Sequence, residues 1–136
     1  MERLSRRVEV LYIGTLILAT VHVVDSAYWH EWEVLGLPGG IQFFLVQSLA
    51  LAVPFFLGVS KLAKGAQSGP LFGIALSGAG MLGFAIHAVL LERGGPEFRN
   101  VASIGTIVLM LAFSVGLMFE SIRLKWASAT RPNEPS

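Results

Sequence analysis

Four long apolar runs, separated by short polar breaks that carry glycine and proline, organise the chain. The runs cover residues 8–29, 41–59, 71–91 and 101–119. Each is close to the roughly 20 residues that an α-helix needs to cross a bilayer. The breaks read "GLPGG", "KLAKGAQSGP" and "ERGGPEFRN", which are turn signals. Connections this short make consecutive helices antiparallel. Pro54 falls inside the second run, where membrane helices tolerate it. The pattern predicts an all-α, polytopic membrane protein: one four-helix antiparallel transmembrane bundle over residues 1–123, followed by a polar tail over 124–136. The tail holds Pro132 and Pro135 and is expected to be disordered.

Composition strengthens this reading. Charged residues make up 14% of the chain and hydrophobic ones 54%, against about 25% charged in soluble domains. Basic residues cluster at the ends of the runs and fix an orientation. Arg3, Arg6, Arg7, Lys61, Lys64, Arg123, Lys125 and Arg131 fall on one side, and only Arg93 and Arg99 on the other. The positive-inside bias predicts cytoplasmic termini, with the first and third loops facing outward. No small-residue cleavage site closes the first run, so no cleavable signal peptide is expected. The basic residues read as topology signals rather than a nucleic-acid surface. With no cysteine, disulfides, thiolate metal sites and cysteine nucleophiles are excluded. Tyr28, Trp29 and Trp32 are expected to form an aromatic belt at the outer interface.

The chemistry concentrates at the end of the first run, "HVVDSAYWHEWEV". On a helix that continues this far, His22, Asp25, Ser26, Trp29, His30 and Glu33 fall within about 140° of one another, while Glu31 points the opposite way. His22 and Asp25, three residues apart, can touch. Ionisable groups inside a membrane are costly and face the bundle interior. His87, near the outer end of the third run, lies at a similar depth and continues a file of small residues: Ala75, Ala79 and Gly83. Gln42 and Gln47 add polar groups from the second run. The expected site is therefore an outer-leaflet pocket lined by His22, Asp25, Ser26, Gln42, Gln47 and His87, with His30 and Glu33 at its rim.

Several functions fit such a pocket. His22, Asp25 and His87 are nitrogen and oxygen ligands suited to a divalent metal such as zinc or iron, and the protein could be a metal-dependent membrane enzyme. His22 and His87 could instead serve as axial ligands of a haem. The same groups could mark a proton or small-substrate path, or bind a lipid or small molecule without catalysis. Alternatively, His22 and Asp25 form an interhelical clasp in a structural or accessory subunit of a larger membrane complex or homo-oligomer. Glu31 would then be an exposed docking contact. A serine hydrolase is not supported, because Ser26 lacks a nucleophile elbow.

The first helix and its exit resemble a group of small, uncharacterised bacterial integral membrane proteins. The resemblance rests on His22 with Asp25 three residues later, then His30, Glu31 and Trp32, and covers about residues 11–60. It implies a membrane domain in the bacterial cytoplasmic (inner) membrane and transfers no activity.

Overall fold

The computed structural model describes residues 2–93 and 99–130. The described residues are helical: α1 (Glu2–Tyr28), the short α2 (Glu31–Val34), α3 (Gly40–Ala63), α4 (Gly69–Arg93) and α5 (Val101–Ala129). Four of these, α1, α3, α4 and α5, are long and apolar enough to cross a membrane. Even the shortest, α3, has 24 residues. At 1.5 Å per residue it spans about 36 Å, against a hydrocarbon core of about 30 Å.

The helices outrun the apolar runs that mark them. Helix α1 starts at Glu2, and α5 continues to Ala129. Apolar patterning reports the length in contact with lipid. Backbone hydrogen bonding carries a helix beyond that length through polar residues that favour it, such as the arginines and lysines of both ends. Residues 124–129 of the expected tail are therefore helical, and residues 131–136 lie outside the described residues, as does the expected turn at Gly94, Gly95 and Pro96. The first break turns as its composition anticipates, with Gly36, Gly39 and Gly40 at positive φ. Asn100 caps α5, its side chain accepting a hydrogen bond from the Ala102 N–H at 2.8 Å.

Helices α4 and α5 share the largest interface, followed by α1 and α5, and α3 is peripheral. The core joins Val8, Tyr12 and Leu16 of α1 to Leu62, Leu76, Leu117 and Leu124. Tyr12 Oη donates to the Phe55 carbonyl at 2.7 Å, which ties α3 to the bundle. Much of the remaining apolar surface faces outward on every long helix, including Val24, Val46, Leu82 and Val115. This is the distribution expected where the solvent is lipid.

The seam between α4 and α5 is built from glycine and serine. Gly73, Ser77 and Gly80 are buried on α4, and Ser114, Leu117 and Ser121 on α5. A Cβ added to Gly80 would run into Ser114 Oγ, and one added to Gly73 into Ser121 Oγ. Gly73 and Gly80 are seven residues apart and stay within about 20° of one helix face, whereas residues four apart drift by about 40° per step. That drift is why the expected file does not form the seam: Ala75 and Ala79 are exposed, and only its far end turns inward, at Gly83 and His87. Gly80→Val should cost about 1–3 kcal/mol through overpacking, read as a lower midpoint for loss of helical signal on denaturant titration of the detergent-solubilised protein.

Candidate metal centre

The C-terminal end of α1 determines the site. The last helical turn closes with Trp29 N–H donating to the Asp25 carbonyl at 3.0 Å. His30 then adopts φ 57° and ψ 36°, a left-handed conformation and the one non-glycine positive φ among the described residues. Histidine is among the residues that tolerate this region best. The reversal ends α1 and starts α2 in a new direction, with Glu33 N–H donating to the His30 carbonyl at 2.9 Å.

This single turn overturns the continuous-helix expectation for Glu31. The residue does not point away from the others. It folds back over the end of α1 and is 3% exposed. Ser26 Oγ donates to Glu31 Oε2 at 2.8 Å, and Glu31 Oε1 lies 3.2 Å from His87 Nδ1. Trp32 follows it inward, is 3% exposed and packs against Phe44 of α3 with ring centroids 5.5 Å apart. Trp32 is therefore an anchor for α2 and not part of an interfacial belt.

His87 descends from α4 and is fully buried. Its ring meets that of His22 edge to face, with centroids 5.7 Å apart. Gly83, one turn before His87, lets α4 approach this part of α1: a Cβ there would stand 3.8 Å from His22 Nε2 and 3.1 Å from the Met110 terminal methyl. His22, Glu31 and His87 each offer a ligand atom, and these atoms lie within 4.8 Å of one another. Around an ion with bonds of about 2.0–2.2 Å, ligand atoms sit roughly 3.0–3.5 Å apart. Side-chain rotations on the order of an ångström would close the set on a metal.

The carboxylate that meets the two histidines is thus Glu31, where the sequence pointed to Asp25. Asp25 lies close enough for its charge to act on Glu31, and its Oδ2 is buried without a hydrogen-bond partner. Ser26 is buried and supports Glu31 rather than lining an open space. Gln42 and Gln47 are exposed on α3. His30 and Glu33 are exposed as well, with the His30 ring 4.8 Å from that of Trp32.

Burial dominates the electrostatics of the site. Burial pushes the Glu31 carboxyl above its ordinary value, and the Asp25 charge adds to the rise; the Ser26 hydrogen bond and the neighbouring His87 work against it. Glu31 and His87 are buried and His22 and Asp25 half-buried, and a carboxylate in such surroundings gains from an opposite charge beside it. The donor set, two nitrogens and a carboxylate oxygen, is the type that holds zinc or iron while leaving coordination positions open.

A model for a family of unknown function, DUF6713, matches residues 8–124. The chain belongs to this family. In this member of DUF6713 the match takes in all three converging residues and the apolar part of every long helix. No curated protein and no solved structure matches the chain.

Proposed function

We propose that this protein binds a divalent transition-metal ion, zinc or iron, through His22, Glu31 and His87 in the outer half of a membrane. In this reading the four spanning helices form an antiparallel bundle in a bacterial cytoplasmic membrane. Both termini are cytoplasmic, as the distribution of basic residues favours. The observation that carries the proposal is the convergence of the three ligand atoms within 4.8 Å, from α1, α2 and α4. A metal held there would act as a Lewis acid with at least one position free for water or a small substrate. The chain's own groups would hold and orient it: the histidines as neutral ligands, Glu31 as the anionic one, and Ser26 fixing the carboxylate.

The test is elemental analysis of the detergent-purified protein, with an absorption spectrum to register haem. About one metal per chain, lost on His22→Ala or His87→Ala, supports the reading. Ser26→Ala should leave binding in place but weaken it about tenfold, the lower end of the effect of removing a group that orients a ligand. Titration with zinc or ferrous ion in the presence of a competing chelator would measure it.

A second reading draws on the contacts Glu31 already makes. Its links to Ser26 and His87 pin α2 over the ends of α1 and α4, which suits a structural clasp in an accessory subunit. Metal-free protein whose helices loosen on Glu31→Gln, with His22→Ala silent, would favour the clasp over the metal centre.

A further inference from the structure

Helix α3 carries polar groups that no side chain or backbone group among the described residues satisfies. Of its 24 residues only Gly58 and Leu62 are buried, both near its C-terminal end. The N-terminal half exposes Phe43, Val46, Leu49 and Leu51 as expected for lipid contact, but it also exposes Gln47. Gln47 lies seven residues after Gly40, about 10 Å along the helix axis. For a helix of about 36 Å centred on a hydrocarbon core of about 30 Å, that places it some 7 Å below the boundary. Gln42 sits near the boundary and can reach headgroups; Gln47 is too deep.

A second unmet group shares this face. Pro54 has no N–H, so the Ala50 carbonyl lacks its helical donor. Ala50 and Pro54 are both exposed, and on a helical wheel both fall within about 60° of Gln47. An amide and a backbone carbonyl facing hydrocarbon without partners are costly. Ala50 is also small, which lets a neighbouring backbone approach closely.

We propose that this face, Gln47 with Ala50 and Pro54, is where a second copy of the chain packs, α3 against α3. The chemistry selects a second copy. Two identical chains inserted with the same orientation bring residue 47 to equal depth across a two-fold axis along the membrane normal. A carboxamide is both donor and acceptor, so Gln47 can satisfy its own counterpart, and its remaining N–H can reach the partner's Ala50 carbonyl. The proposal is independent of the metal centre, which α1, α2 and α4 build without α3.

The chain contains no cysteine, so single cysteines report proximity without background. Leu51→Cys, one turn from Gln47 and 58% exposed, is expected to form a disulfide-linked dimer on mild oxidation in native membranes. Leu82→Cys, 61% exposed on α4, should not. Adding Gln47→Leu to Leu51→Cys removes the hydrogen bonds while keeping the face apolar, and should reduce cross-linking about tenfold, as expected for loss of a symmetric pair of membrane hydrogen bonds. Equal cross-linking at residues 51 and 82, an adduct of other mass in place of the dimer, or indifference to Gln47→Leu would overturn the proposal. Circular dichroism of each purified variant separates a lost interface from a lost fold.

Discussion

Alanine at His87 is expected to abolish metal retention. Affinity should fall at least 100-fold, beyond the 10- to 100-fold that accompanies loss of a group merely supporting a ligand. In the proposed site three protein ligands hold the ion, and with His87 gone only His22 and Glu31 would remain, too few to compete with water or a chelator. His22→Ala should lose a similar amount, and the double variant little more, because ligands of one ion act as a unit. His30→Ala is the informative control. His30 is exposed and outside the cluster, so metal content should stay unchanged although the residue belongs to the same segment. Helical content should survive in all of these, since the core around Tyr12, Leu76 and Leu117 lies elsewhere. Metal retained by His87→Ala, with helicity intact, would refute the assigned ligand set.

The four long apolar helices were legible because lipid imposes a simple demand. A stretch that must bury its backbone polar groups in hydrocarbon has to be helical and apolar for about 20 residues. His22 and His87 were legible for the complementary reason, since a histidine inside such a stretch is costly without company. Glu31 was hidden by one residue. The turn that brings it home occurs at His30, and no glycine or asparagine stands there to announce a left-handed conformation. The available signal was weaker: an acidic residue just past the end of α1, at the level of a buried histidine pair. Gln42 and Gln47 were misdirected for a different reason. Helix α3 carries apolar residues around its whole circumference, so its periodicity selects no inward face, and depth alone could not say which way a glutamine points. The seam of Gly73 and Gly80 against Ser114 and Ser121 was likewise indistinct, because the chain offers several glycine spacings and only the packed helices choose among them.

Metal affinity should fall steeply with acid, and Glu31 should account for a separable part of the slope. Its carboxyl is raised by burial, so at moderately acid pH the metal must displace a proton from it. A carboxyl that binds its proton more tightly in the folded state stabilises the metal-free fold below the ordinary carboxylate pKa. That contribution disappears as pH rises through the raised value. The ion reverses the preference, because it binds the carboxylate. Metal-free protein should therefore become less stable as pH rises through this window, while the stabilisation gained on adding zinc grows. Below the raised value each proton displaced lowers affinity about tenfold per pH unit. Glu31→Gln should bind more weakly at neutral pH and lose about one tenfold step per pH unit from the acid side of the profile, where Glu31→Asp should keep it. Competition titrations with zinc at a series of pH values would measure both slopes. Parallel profiles for the native protein and Glu31→Gln would mean that Glu31 does not ligate the ion.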